Sequence, residues 1–319
     1  MADAVGLRDV CASRMRVLRT AATLLVLLTA WVERAEACSV CGCGDPLFAV
    51  GDSKPMAGTW RFAFDYVYLT ASARSDDNPA QTESLTQMIF LPVIVFSPTD
   101  ELNLVLQVPL SWKQWNLTGG GLPPETASPF GLGDIEFGLR YFVWTDTDLK
   151  KLQRQSFALT AGTSMPTGSD DTEVDGERID QHAQLGTGGW GPYLGVLYTF
   201  AQDRWNLTAT ASGRYRTRNS YGYQFGAAFL FSLTARYRLF EQLYLSLGVD
   251  GRYAVQDNDS GDTQVNTGGF LLAATPGVMW NIVDGLWLQA QVQVPFATKL
   301  YGVQSVGPVV TVGLQFVLH

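Results

Sequence analysis

With two histidines and four cysteines among 319 residues, and a charged fraction of only 16%, the chain is poor in the side chains from which most catalytic and metal centres are built. Long apolar runs are scarcer still. The one unbroken stretch covers residues 23–32, roughly half of the ~20 residues a membrane helix needs, which excludes a helical transmembrane span. Basic residues fall short of acidic ones, 22 against 30, so the chain does not read as a nucleic-acid binder. No CxxCH occurs, which excludes haem attachment in its usual form. Aromatic side chains, at 12%, and glycine, at 32 residues, are plentiful, a mixture that suits many strands and turns rather than a disordered chain.

The amino-terminal residues carry an export pattern. Arg14, Arg16 and Arg19 precede the apolar run and Ala35-Glu36-Ala37 follows it, the basic, apolar and small-residue regions of a secretory signal. Residues 1–37 are expected to be a signal peptide cut before Cys38. A start at Met15 gives the more ordinary signal length, and Cys11 then has no role in the mature protein. Removing those residues leaves 17 basic and 26 acidic side chains.

Period-two alternation runs through the remainder. In residues 102–112 the side chains Leu102, Leu104, Leu106, Val108, Leu110 and Trp112 share one face, while Asn103, Gln107 and Ser111 share the other, continued by Lys113. Residues 205–216 set Trp205, Leu207, Ala209, Ala211 and Tyr215 against Asn206, Thr208, Thr210, Ser212, Arg214 and Arg216. Leu288, Ala290, Val292 and Val294 oppose Gln289, Gln291 and Gln293. A strand with lipid on one side and water on the other needs this pattern. A soluble sandwich produces it too, with the apolar face inward.

Strand length and turn parity separate the two. Twelve segments of roughly 9–14 residues, each long enough to cross a bilayer when tilted, fall near 60–71, 85–96, 102–115, 134–144, 156–167, 188–200, 205–216, 223–240, 243–254, 270–283, 287–297 and 307–318. Every second connection is short (97–101, 145–154, 201–204, 241–242, 284–285), and the alternate ones are mostly longer and polar, such as 116–133, 168–187 and 255–269. Short periplasmic turns with long external loops are the habit of outer-membrane barrels. The expected fold is therefore all-β, a transmembrane antiparallel up-and-down barrel of about 12 strands over residues 59–319, after a periplasmic segment at 38–58. Aromatics support it: Phe96, Trp144, Trp205, Phe240, Trp280 and Trp287 collect at the short-turn ends, and Tyr68, Trp112, Trp115, Tyr215, Tyr253 and Tyr301 at the other, as two interfacial girdles would.

The pieces GLGDIEFGLRYFVW (131–144), ALTAGTSMPTG (158–168), LGTGGWGPYLGVLY (185–198), SGRYRTR (212–218) and ATPGVMW (274–280) make the chain resemble, in their order, the bacterial outer-membrane family named for the MetA pathway of phenol degradation. The resemblance spans most of the barrel. It implies an outer-membrane location and a role in moving small, hydrophobic or aromatic compounds, and brings no catalytic or ligand residues with it.

With polar faces inward, the lumen gathers Arg61, Lys113, Arg140, Arg214, Arg216, Arg236, Arg238 and Arg252 against Asp65, Asp134, Glu136 and Asp250. Ionisable groups at membrane depth are costly unless they line water or pair. Two readings stand side by side: a narrow passage favouring anions, or a charge lattice filling a closed barrel. Arg214, Arg216, Arg236 and Arg238 are expected to form its densest cluster. At the mature amino terminus Cys38, Cys41 and Cys43 offer thiolates for Cu(I), Zn or another soft ion. A disulfide with one odd thiol and lipidation of Cys38 compete with that reading. Acidic loop residues such as Asp170, Asp171, Asp257 and Asp259 offer calcium-type oxygens, or are solvated loop faces.

An enzyme is not expected. His182 is placed on a loop beside Asp180, with Ser169 as a conceivable partner, and His319 at the opposite end. The sequence therefore points to a channel or transporter for small solutes through an Arg-rich lumen. The alternative is a closed barrel acting as a binding or structural module, its cysteine segment holding a soft metal or docking a periplasmic partner. Expected partners are outer-membrane lipid and lipopolysaccharide, the barrel-assembly machinery that reads the carboxyl-terminal strand, and small solutes; homo-oligomerisation is left open.

Overall fold

Strand after strand along the chain pairs antiparallel with the next, and the last pairs with the first. In a computed structural model, residues 56–75 and 78–318 are described; the signal segment, Cys38, Cys41, Cys43 and His319 lie outside them. The wall consists of β1 (Trp60–Arg74), β2 (Gln81–Phe96), β3 in two pieces (Leu102–Gln107 and Leu110–Gly119), β4 (Glu136–Asp148), β5 (Gln153–Ser164), β6 (Gly191–Gln202), β7 (Trp205–Arg214), β8 (Ala228–Phe240), β9 (Leu243–Ala254), β10 (Gly269–Val283), β11 (Leu286–Leu300) and β12 (Val309–Leu318). Pairing of Trp60 with Leu318 through Tyr68 with Val310 closes the barrel, so the sheet presents no free edge to lipid. At roughly 3.3 Å per residue and a tilt of about 40°, a strand as long as β1 rises well past the roughly 25 Å apolar band. Its outer end therefore stands above the membrane.

The inner and outer faces follow the alternation. Phe64, Phe90, Leu159, Leu194, Leu233 and Leu247 are large apolar side chains left exposed on the outside of the wall. An apolar surface that extensive around a closed barrel is covered by lipid rather than water. At the short-turn ends it is banded by aromatics. Trp60 stacks on Phe96 with ring centroids 4.4 Å apart, Phe62 on Phe316 at 5.0 Å, and Trp205 meets Tyr237 at 4.8 Å. Asn103, Gln107, Ser111, Ser156, Thr208 and Thr210 are buried on the inside. The molecule is an outer-membrane β-barrel.

The short turns are built from residues that tolerate left-handed backbone. Asp203, first of the two loop residues between β6 and β7, has φ 49°, as the first position of a II′-type hairpin turn does, and Gly285, second of the two between β10 and β11, has φ 81° next to a bulge at 281–283. Between β3 and β4 the wall is less regular. Pro109 has no N–H to give to a ladder, and it separates the two pieces of β3. The outer piece pairs with two short strands of the following loop, Glu125–Ala127 and Phe130–Leu132. Gly133 N–H then reaches Pro109 O at 2.8 Å and keeps the seam closed.

Four expectations change. The inner faces of β1 and β2 are largely apolar: beside Arg61, Asp65 and Gln87, the side chains Val67, Leu69, Leu85, Ile89, Val93 and Val95 point inward and are buried. β2 is apolar on both faces because its inner side packs against protein as well as lining water. Trp115 is not a rim aromatic but lies inside with Leu69, Leu85 and Ile179, as its parity with Lys113 demands. The strand expected at 223–240 starts only at Ala228, and residues 223–224 join a small outer sheet instead. The four-arginine cluster does not form. Arg214 pairs with Ala228 and Arg236 with Asn206, so in an antiparallel hairpin the two pairs of arginines lie at opposite ends, roughly 25 Å apart along the strand.

Candidate functional site

The loop between β5 and β6, residues 165–190, turns into the barrel mouth. Asp134 is its anchor, accepting from Gly168 N–H at 3.1 Å and Thr187 N–H at 2.9 Å. That brings Gly168 against Gly186 so closely that a Cβ on Gly186 would sit 2.3 Å from Gly168 O. Only glycine fits there. The tip is a hairpin of Glu173–Val174 and Glu177–Arg178, turned by Asp175 and Gly176 with φ 52° and 87°, the pair of positive φ values of a type I′ turn.

Beyond the hairpin, Ile179, Gln181, Ala183 and Gln184 are buried. Ile179 and Ala183 press on the apolar inner wall beside Leu69, Leu85 and Trp115. Gln184 closes the segment on itself, its Nε2 donating to Thr172 O at 3.0 Å and Ile179 O at 3.1 Å while its Oε1 accepts from Thr172 N–H at 2.8 Å. Lys113, from the inner face of β3, donates to the carbonyls of His182, at 2.8 Å, and Gln184. Apolar packing, a self-satisfied glutamine and a buried lysine thus hold a lid across the lumen.

His182 fastens this lid to two further external loops. Its Nε2 lies 2.9 Å from Asp257 Oδ2 and 3.0 Å from Tyr223 Oη, and Tyr223 donates to Asp257 at 2.8 Å. Gly226 N–H donates to the other oxygen of Asp257 at 2.7 Å, and the Phe225 ring stands edge-on to the imidazole at 5.1 Å. Burial depresses the His182 pKa, but hydrogen bonding to Asp257 and the charges of Asp180 and Asp257 outweigh it and leave it raised. Burial raises Asp257 in turn, yet hydrogen bonding and charge from His182 hold it below the ordinary carboxylate value. His182 is therefore no solvated surface residue. Ser169, its conceivable catalytic partner, donates to Asp171 at 2.6 Å instead.

Under the lid lies a cavity of about 200 Å³. Leu85, Ile89 and Leu91 of β2 make one wall, while Lys113, Arg214, Arg216 and Arg252 line the rest with Asp134, Glu136 and Asp257. Arg214 meets Glu136 at 2.8 Å, both nearly buried. Glu136 sits on β4 and Arg214 on β7, with β5 and β6 between them; Ser164 and Gly191 lie in register with Glu136, and Tyr193 in register with Arg214. Arg216 stands 5.5 Å from the Phe225 ring. Burial and the neighbouring Arg214 push its pKa down to about 10, which still leaves it charged at neutral pH.

Of the residues singled out in the sequence, Lys113, Glu136, Arg214, Arg216 and Arg252 converge on this cavity. The others lie lower. Arg61 and Arg140 are buried on the inner wall, and Asp250 accepts from Gln293 at 3.0 Å and from Thr275. Arg236 is level with Asn206, and Arg238 sits at a periplasmic turn, its Nη2 3.9 Å from Asp203. The soft-metal proposal for Cys38, Cys41 and Cys43 falls on residues outside the described ones. Among the described residues, no three His, Cys, Asp or Glu side chains form a metal-holding group, the acidic loops included. Sequence reading missed the lid latch and the apolar wall. The signal for the wall was present in residues 85–96, apolar on both faces.

A family model described as "Putative MetA-pathway of phenol degradation" matches residues 61–305. The chain belongs to that family. Among solved structures, this MetA-pathway family member is similar to an outer-membrane channel from Pseudomonas putida F1, with a TM-score of 0.63 and 15% identity over 85% of this chain and 98% of that one. It is also similar to the transport unit of the autotransporter AIDA-I from Escherichia coli, with a TM-score of 0.50 and 8% identity over 85% and 94% of the two chains. At such identities the likeness is one of fold. No curated protein matches the chain.

Proposed function

We propose that this protein is a gated outer-membrane channel for small solutes, with the 165–190 loop as its gate. The observation that carries this reading is the cavity of about 200 Å³ inside the barrel, bounded above by a lid held through hydrogen bonds and apolar contact rather than by wall strands. Lys113 holds the lid carbonyls and Arg214 meets Glu136, and buried charge of this density is costly unless the void it surrounds also admits water or a polar solute. Basic groups outnumber carboxylates around that void, so small anions are favoured over cations.

Conductance of the purified full chain in planar bilayers tests the proposal. Small, fluctuating openings with anion preference are expected, and Arg252→Glu should move the reversal potential toward cation selectivity. Silent membranes for both the wild type and a variant with the lid unlatched would overturn it. The apolar seating of Ile179 and Ala183 also supports a second reading, a permanently closed barrel that binds or scaffolds. It is the reading left if no variant conducts while the fold stays intact.

A further inference from the structure

The cavity walls differ in chemistry from side to side. On β2, Leu85, Ile89 and Leu91 present only hydrocarbon. Facing them are Lys113, Arg214, Arg216 and Arg252, four cations against the three carboxylates Asp134, Glu136 and Asp257. The carboxylates that line it already have partners: Asp134 accepts from the lid backbone, Asp257 from Gly226 and Tyr223 with His182 beside it, and Glu136 from Arg214. The guanidinium groups thus leave the cavity with a positive excess beside an oily surface.

Polar groups at a second level point the same way. Gln107 and Ser164 flank Glu136 in register on either side, and both line the void. They are 2% and 3% exposed, yet Gln107 Nε2 and Ser164 Oγ have no hydrogen-bond partner among the described residues. Two buried donors left unused are costly unless something accepts from them. Size narrows the choice further. An apolar cavity of about 150 Å³ holds one benzene ring, so about 200 Å³ takes a single ring with one small substituent.

We propose that the cavity under the lid is a binding site for single-ring aromatic carboxylates, the ring lying on Leu85, Ile89 and Leu91 and the carboxylate held by Arg216 and Arg252 with donation from Gln107 and Ser164. This rests on the channel reading, to which it adds a class of solute and a stopping point on the path. It distinguishes the site from one for neutral aromatics such as phenol. A hydrocarbon ring brings no acceptor for the Gln107 amide and the Ser164 hydroxyl, and phenol brings a weak acceptor but no charge to meet the positive excess of the wall.

The test is calorimetric titration of the full chain, folded in detergent micelles, with benzoate, benzyl alcohol, phenol and acetate. Benzoate should bind at least ~10-fold more tightly than benzyl alcohol, which keeps the ring and loses the charge, and than acetate, which keeps the charge and loses the ring. Arg216→Gln should weaken benzoate by roughly 10-fold and benzyl alcohol by no more than about 2-fold, while Arg216→Lys recovers part of the loss. Should Arg216→Gln fail to give the heat-modifiable gel migration of a folded barrel, Arg252→Gln takes its place. Equal affinity for benzoate and benzyl alcohol, or benzoate binding indifferent to both arginine substitutions, overturns the site. Chloride conductance on the same preparation keeps the two ideas apart. Conductance without discrimination among the four compounds sinks the site and leaves the channel, whereas selective benzoate binding without conductance sinks the channel and leaves the site.

Discussion

His182 is one of only two histidines in the chain, and its ring joins three external loops through Asp257 and Tyr223. Its pKa stands above the ordinary value of 6.5, so the stability it lends the lid is fully present below pH 6.5 and is lost as pH rises through the folded value. Asp257 stands below its ordinary 3.8, and its contribution is present above pH 3.8 and lost as pH falls through the folded value. The latch should therefore be tightest from about pH 4 to 6.5. Hydrogen exchange of lid amides, corrected for intrinsic rate, should show more protection at pH 6 than at pH 9. His182→Ala should cut the pH 6 protection on the order of tenfold and abolish the pH dependence; a dependence that survives the substitution contradicts the latch. None of this was legible in the sequence. Asp257 and Tyr223 lie 75 and 41 residues from His182, and only the inward fold of three loops brings them together. Arg214 and Glu136 form a second residue-scale test, because breaking a buried pair leaves one charge stranded, at a cost of about 3–5 kcal/mol. Either Arg214→Met or Glu136→Leu alone should lower the urea midpoint more than the two together.

Among the elements, the twelve strands and the parity of their turns were readable in advance, because period-two alternation and the lengths of connections are local properties. The lid was not. Residues 168–187 read as one more polar loop, and what folds them inward is the approach of Gly168 to Gly186, the Asp134 anchor and the seating of Ile179 and Ala183 on a wall whose apolar character depends on β1 and β2 lying side by side. Gly186→Val places carbon where Gly168 O already stands. It should release the lid while leaving the barrel's heat-modifiable migration unchanged, and raise single-channel conductance severalfold. Unchanged conductance in a folded Gly186→Val barrel would mean that the loop is not the gate. The expected arginine cluster failed for an element-scale reason too: residues close in sequence number on two strands of a hairpin lie close in space only near the turn that joins them.

For the whole molecule, closure through β12 and β1 turns twelve half-apolar ribbons into a body with a lipid face and an interior. The lipid face was legible from the alternating stripes. The interior was only half legible: the polar sides of β3 and β7 proved inward-facing as expected, whereas the apolar inner wall left its sign only in residues 85–96, apolar on both faces, where the alternation that tells inside from outside is missing. An arginine on the lipid face near the bilayer midplane costs about 2–4 kcal/mol, whereas one facing the lumen is tolerated far better. Leu233→Arg should accordingly lower the unfolding midpoint in urea much more than Ser232→Arg, its neighbour on the opposite face of β8.

That facing is the claim on which channel, gate and solute site all depend, and it can be measured directly. Single cysteines placed one at a time from Trp205 to Arg214 in a variant stripped of its native cysteines, spin-labelled in lipid vesicles, report collisions with oxygen dissolved in the bilayer and with a water-soluble nickel chelate. Oxygen contact should peak at positions 205, 207, 209 and 211, and chelate contact should favour 206, 208, 210 and 212. Equal chelate contact along the whole strand, or an apolar stripe reached by neither probe, would contradict the barrel's orientation in the membrane.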